Sequence, residues 1–415
     1  MNLLIITPTP MYPLTSGGAQ AQFNMIDKLR QIHNITILYI ENTFGEKRHI
    51  DTLKKLWPNV IFHKYSIWEQ LTYWKYLYEK GERAYKLITQ KNKKSFMIER
   101  IIKPYGIYFP KHFINILNNI ILKENINTVQ IEFYPCLELI NYIDAKVKTI
   151  FVHHEIRFIR NERFLASFDL SEEEKELFNK IKQKEISDLN KYDTIVTLTN
   201  KDKEILTTNN VKKNIIVSPA AIKTNIHPYN TWNHKIIFLG GYGHIPNIEG
   251  LNWLIENIIS KMSIMDLNHS CMHIIGKGWP ESLIENYNKK SPIKIISHGF
   301  VEDLYKIAKD SIMVIPILTG SGMRMKILEA AAMGIPFITT QVGVEGLNFT
   351  NEENCLIKDT PEDWINSLIK LTHNEDKRKR LAVNAQKIYM SKYSLSALIK
   401  IRNSVYQPNI KITKE

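Results

Sequence analysis

The chain has 415 residues, 44% of them hydrophobic, with 55 Lys and Arg against 42 Asp and Glu for a net charge of +13. That length fits two ordinary domains better than one, and the hydrophobic share excludes a disordered chain. The positive balance calls for anionic partners: nucleotide diphosphates, lipid headgroups or nucleic acid.

In chain order, apolar runs predict strands at Leu3–Thr7, Ile35–Tyr39, Val60–His63, Thr128–Glu132, Thr149–His153, Thr194–Leu198 and Ile215–Val217. A second series follows at Ile236–Leu239, Met272–Ile275, Ile293–His298, Ile312–Ile315, Phe337–Thr339 and Cys355–Ile357. Nearly continuous apolar strands alternating with helical stretches belong to parallel sheets covered on both faces, so an α/β architecture of two doubly wound domains is expected. The polar, proline-containing segment 219–234 divides them, giving domains at 1–218 and 235–390, with 391–415 as a closing helical segment.

Within the first half, 53–112 changes character: aromatic residues from Trp57 to Tyr108 are interleaved with lysines. This composition suits sugar stacking, docking at an anionic bilayer surface or single-stranded nucleic acid, and equally suits ordinary helices with aromatic cores and lysine rims. His153-His154-Glu155 closes the strand from Thr149 at its carboxyl end. Neighbouring strand residues alternate faces, so one histidine of the pair faces a ligand, and His154 is the choice here. Glu155 has Arg157 and Arg160 as ion-pair partners within reach, and HExxR is not the HExxH of a zinc protease. Thr199-Asn200-Lys201-Asp202 reads as a capping box. Lys277, after a strand, is a solvated loop lysine or a contact to a nucleotide base.

The richest stretch is GSGMRMKILEAAAMGIP, Gly320 to Pro336. A buried strand ends in a glycine turn that opens directly into a helix. The first helical turn presents unpaired N–H groups and the positive end of the dipole, so this junction suits an anion. Arg324 and Lys326 add charge there, and Glu329, about one turn on, is placed to accept hydrogen bonds from paired hydroxyls such as those of a ribose. Gly334 and Pro336 end the helix. Gly17-Gly18, Gly240-Gly241 and Gly320–Gly322 all follow strands, where open parallel sheets bind ligands. Walker A and GxGxxG spacings are both absent, which argues against a dinucleotide oxidoreductase, and no Asp-x-Asp pair is present to clamp a diphosphate through a metal. No metal site and no cofactor is expected.

These residues resemble the donor-sugar signature of the retaining glycosyltransferases of family four (glycosyl transferases group 1), in the branch reading Gly-Ser-Gly-x-Arg-x-Lys-x-x-Glu-Ala. Ile236–Leu254, His298–Leu304, Thr339–Leu347, Thr7–Leu29 and the segment IFVHHEIRFIRNERF are similar to further blocks of that family. The likeness covers nearly the whole chain and is weakest from about Glu41 to Thr128. It implies the GT-B fold, two Rossmann-like domains facing a central cleft, with the last helix crossing back to the first domain. It implies donor-binding roles for Gly17, Gly18, Gly240, Gly241, Gly320, Ser321, Gly322, Met323 and Glu329, and catalytic roles for His154, Arg324 and Lys326. Two departures stand out. The commoner pattern has two glutamates eight positions apart, and Ser321 occupies the first. The usual Arg and Lys after the first C-terminal strand are absent from GGYGHIPNIEG, which leaves the diphosphate to Arg324 and Lys326.

The expected activity is transfer of a sugar from a nucleotide diphosphate sugar to a glycan, lipid-linked or protein acceptor. Alternatives are a noncatalytic glycosyltransferase-like partner subunit and a nucleotide-sugar epimerase. A nucleic-acid binder lacks any recognition motif. Three scattered cysteines, Cys136, Cys271 and Cys355, form neither a disulfide framework nor a zinc site. MNLLIITPTP lacks the marks of a signal peptide, and no stretch reaches the length of a membrane span. A cytoplasmic location is expected, with scope for peripheral contact at an anionic inner membrane face.

Overall fold

The structure is a computed structural model that describes residues 1–14, 17–41, 47–66, 109–166, 168–220, 222, 225–320 and 323–406. Most of the aromatic and basic stretch, 67–108, lies outside the described residues, as do Ser321 and Gly322.

The chain divides into two compact units, Met1–Ala221 with Leu398–Glu415, and Ile222–Ala397. Unit one is built on a seven-stranded sheet: β1 (Asn2–Thr7), β2 (Asn34–Glu41), β3 (Ile61–Ser66), β4 (Thr128–Glu132), β5 (Lys148–His153), β6 (Thr194–Thr197) and β7 (Asn214–Val217). Their order is β3-β2-β1-β4-β5-β6-β7, parallel throughout. Unit two holds β8 (Lys235–Leu239), β9 (Cys271–Ile275), β10 (Ile295–Ser297), β11 (Ser311–Ile315), β12 (Phe337–Thr339) and β13 (Leu356–Ile357). Here the order is β10-β9-β8-β11-β12-β13, again parallel. The central strands β4, β6 and β11 are buried along their whole length, the signature of a sheet covered on both faces.

In each sheet the strand order reverses once, between β1 and β4 and between β8 and β11. At such a point the following loops leave in opposite directions and open a crevice beyond the strands' carboxyl ends. After β1, Gly17-Gly18 open the helix Gly17–Leu29, Gly240-Gly241 follow β8, and Gly320 follows β11.

Three local features bear on the sequence expectations. Trp57 is 1% exposed, packs on Phe23 at 4.8 Å and donates its indole N–H to Asp27 at 3.0 Å, so it is a core residue. Thr199 caps the helix Asn200–Thr208 by accepting from the Asp202 N–H, but its hydroxyl donates to the Asp202 carboxylate, so the reciprocal arm of a capping box is missing. A complete box forms instead at Ser171 and Glu174, where the longer glutamate reaches back to the Ser171 N–H. Strand β10 is confined to Ile295–Ser297 because the Asn288 amide takes up the Ile295 backbone on both sides.

Residues between the last strand of unit one and β8 pack into unit two: Trp232 donates to the Lys235 carbonyl and carries Arg378 over its ring at 4.8 Å. No helix among the described residues is long and apolar enough to cross a membrane.

Candidate functional site

In unit two the helix Met325–Ala332 starts immediately after the glycine turn, with Arg324 as its N-cap residue. Arg324 is 8% and Glu329 9% exposed. Gly320 has φ +119, a conformation open to glycine, and a Cβ there would stand 3.9 Å from the Arg324 guanidinium. Met323 packs its side chain against the apolar cluster beneath.

Lys326 is the centre of this site. Its Nζ donates to Asn247 Oδ1 at 2.9 Å and lies 5.5 Å from the centre of the Phe238 ring. Asn247 in turn donates to the Gly241 carbonyl at 2.9 Å, so one side chain on the helix Ile245–Asn257 ties the loop after β8 to the cation after β11. Desolvation pushes the Lys326 pKa down to about 8; Glu329 opposes this, and Arg324 adds repulsion. A cation so placed gains from an incoming anion, which supplies the countercharge that lost solvent no longer provides.

The loop after β8 is held rigidly. Trp279 donates to the Gly240 carbonyl at 2.8 Å, the Tyr242 N–H donates to the Lys277 carbonyl, and a Cβ on Gly240 would sit 2.6 Å from the Asn247 side chain. Lys277 itself is exposed. The structure thus gathers Gly240, Gly241, Gly320, Arg324, Lys326 and Glu329 at one switch point.

Unit one builds a second constellation at its own switch point. His154, just past β5, meets Glu132 Oε2 with its Nε2 at 2.5 Å and stacks on Phe133 at 3.9 Å and 9°. Phe133 holds φ 66, ψ 144, a backbone state that bulky residues rarely adopt and that costs about 1–3 kcal/mol, the kind of strain found at ligand sites. A Cβ on Gly18 would touch its ring at 3.3 Å, which places the first turn of the helix Gly17–Leu29 against this ring. Glu132, His154, Gln130 and Arg402 line a cavity of about 10 Å³, on the order of one water.

His153 takes a different partner: its side chain is 1% exposed and its Nε2 lies 3.3 Å from Glu185 Oε1. The same carboxylate accepts from the Arg157 and Phe158 N–H groups, each at 3.2 Å, and so anchors the helix Arg157–Leu165 that follows His154. Glu155 pairs with Arg160 at 3.1 Å.

Asn247, Glu132, Gln130 and Phe133 carry no role in the sequence reading. Glu132 had a visible signal, a carboxylate at the carboxyl end of a strand neighbouring the His153-His154 strand. Asn247 sits in the GGYGHIPNIEG segment after the first strand of the second half, but nothing in one dimension joins it to Lys326.

The two parallel sheets with their glycine turns at the switch points define the GT-B fold of glycosyltransferases. Residues 233–374 match the family model of glycosyl transferases group 1. Among solved structures, the chain superposes on TarM with a TM-score of 0.66 at 12% identity, covering 98% of this chain and 99% of that one. It superposes on Anabaena Alr3699/HepE, solved with UDP and glucose, with a TM-score of 0.67 at 8% identity over 98% and 99% of the two chains. These likenesses show the fold. A curated relative, an uncharacterized 44.6 kDa protein in the cps region of Klebsiella pneumoniae, is 26% identical over 191 residues, 42% of this chain. The match spans about half, 49%, of that relative's length.

Proposed function

We propose that the protein transfers a sugar from a nucleotide diphosphate sugar to a glycan, lipid-linked or protein acceptor, with retention at the anomeric carbon and without a metal ion. The observation that carries this reading is the Lys326–Asn247–Gly241 connection at the β8/β11 switch point, inside the segment that matches the group 1 family. Arg324, Lys326 and the N–H groups of the glycine turns neutralise the leaving diphosphate, and Glu329 accepts from the ribose hydroxyls. His154 hydrogen-bonds a hydroxyl of the transferred sugar or of the acceptor. No side chain is assigned as a nucleophile. Two cations in place of an Asp-x-Asp pair support metal independence, and a neighbour of the same fold that binds UDP and glucose supports the donor class.

The test is to incubate the purified protein with UDP-, GDP-, dTDP- and ADP-sugars, with and without EDTA, and to follow free nucleotide and thermal stabilisation together. One donor is expected to stabilise the protein and to release nucleotide regardless of chelator. Absence of both effects across the panel sinks the reading. Conversion of the sugar nucleotide to an isomer without an acceptor and without net release of nucleotide points instead to an epimerase.

A further inference from the structure

A buried hydrogen-bond chain leads from His154 back to the C-terminal segment. His154 Nε2 meets Glu132 Oε2 at 2.5 Å, Gln130 Nε2 meets Glu132 Oε1 at 2.5 Å, and the Tyr406 hydroxyl meets Gln130 Oε1 at 2.5 Å. Gln130, Glu132 and Tyr406 are each at most 3% exposed. Arg402, on the same returning segment and lining the same cavity, is held by Ser218 through Nε at 2.9 Å.

The direction of every bond in this chain follows from one end. An ionised carboxylate only accepts. Gln130 must therefore turn its NH₂ toward Glu132 and its carbonyl toward Tyr406, and the phenol, the group left to donate, does so. Glu132 then has one oxygen occupied by the amide and the other facing the imidazole, so the imidazole nitrogen there must carry a hydrogen. We infer that Glu132, oriented by Gln130 and Tyr406, is a positioning residue that holds His154 as the Nε2–H tautomer and leaves Nδ1 as a hydrogen-bond acceptor. Phe133, stacked flat on the ring, keeps the imidazole plane fixed while this happens. Under the transferase reading, on which the ligand part of this inference rests, the hydroxyl that His154 meets donates its proton to Nδ1. His154 thus selects for a donor hydroxyl and not for a carbonyl or ether oxygen.

The tautomer is measurable without any substrate. Imidazole nitrogen spectra of the full-length protein near neutral pH, with His154 assigned by its loss in His154→Asn, should show a protonated Nε2 and a bare Nδ1. Glu132→Gln puts an amide where the carboxylate was, lets Nε2 accept, and should move the proton to Nδ1. Tyr406→Phe, a one-atom change that serves should Glu132→Gln not fold, removes the donor to Gln130 Oε1 and loosens the orientation of Glu132, so the His154 Nε2–H resonance should shift and broaden while the proton stays on Nε2. A wild-type proton on Nδ1, or His154 shifts that ignore both substitutions, overturns the inference. With the donor found by the nucleotide panel, Glu132→Gln should lower kcat roughly 10- to 100-fold, the range of a lost charge-assisted hydrogen bond, while donor KM changes little. If the tautomer responds as stated but no nucleotide sugar is cleaved by the wild type, the transferase reading fails and the positioning role of Glu132 stands.

Discussion

Lys326 illustrates how a single side chain is tuned by what surrounds it. Its pKa is lowered from the usual 10.5 to about 8 by desolvation, so the unfolded chain holds this proton up to a higher pH than the native protein does. Stability contributed through this group therefore rises as pH climbs from about 8 to 10.5 and is lowest below that window. Diphosphate binding runs the other way, because the ligand needs the ammonium charged. Under the proposed function, affinity for the nucleoside diphosphate of the donor found by the panel, measured by calorimetry, should hold up to about pH 8 and then fall, approaching about tenfold per pH unit. Lys326→Met should bind weakly at all pH values and lose that dependence; a slope that survives the substitution assigns it to another group. Glu329→Gln removes the countercharge that opposes the drop, so the fall in affinity should begin at lower pH, together with a loss of about 10- to 100-fold if its carboxylate also holds the ribose. Both residues stood out in the sequence because their spacing along one helix turn is local. Glu132 and Asn247 did not, since their roles come from partners 22 and 79 positions away.

Elements were the most legible level, because a strand buried on both faces writes itself as an apolar run. Thr128–Glu132 and Phe337–Thr339 coincide with β4 and β12 to the residue, and the other strands differ only at their ends, where hydrogen bonding to loops decides the boundary. What the strand pattern does not reveal is how tightly consecutive elements approach, and two glycines separate a functional approach from a structural one. At Gly240 an added methyl meets the Asn247 side chain, which can swing away and in doing so releases Lys326 and the Gly241 carbonyl. At Gly250 it would lie 1.9 Å from the Pro316 carbonyl oxygen, where only backbone movement makes room. Under the proposed function, Gly240→Ala should therefore weaken binding of the donor's nucleoside diphosphate more than tenfold with a small change in melting temperature, an effect within the span of a lost charge-assisted contact. Gly250→Ala should instead lower stability by several kcal/mol, roughly 2–4 °C for each, as overpacking against rigid backbone does. Equal effects of both on melting temperature would count against a special role for Asn247.

At the scale of the molecule, the first unit is not complete until the chain comes back to it. From Leu398 onward the chain rejoins Met1–Ala221 after 176 residues in the other unit, Ile222–Ala397, and no pattern in the sequence announces that return; only the family resemblance implied it. The structure shows what the return supplies. Leu398, Val405 and Tyr406 are at most 1% exposed, Arg402 donates to both the side chain and the carbonyl of Ser218, and Lys148 donates to the Val405 carbonyl at 2.9 Å. Burying three such side chains is worth about 1.5–3 kcal/mol each, and stripping the partners from buried Gln130 and Ser218 costs about 1–3 kcal/mol per orphaned group. The sum is comparable to the 5–15 kcal/mol that typically separates folded from unfolded domains. Deleting 398–415 should therefore lower the melting transition of the first unit far more than that of Ile222–Ala397, although the deleted residues follow the second unit in sequence. Calorimetry of the truncated chain, with each transition assigned by which one the nucleoside diphosphate of the donor found by the panel stabilises, checks this. Because Tyr406 also ends the chain of hydrogen bonds to His154, the milder Tyr406→Phe should spare most of that stability and still disturb the histidine, which separates the segment's structural contribution from its effect on the site.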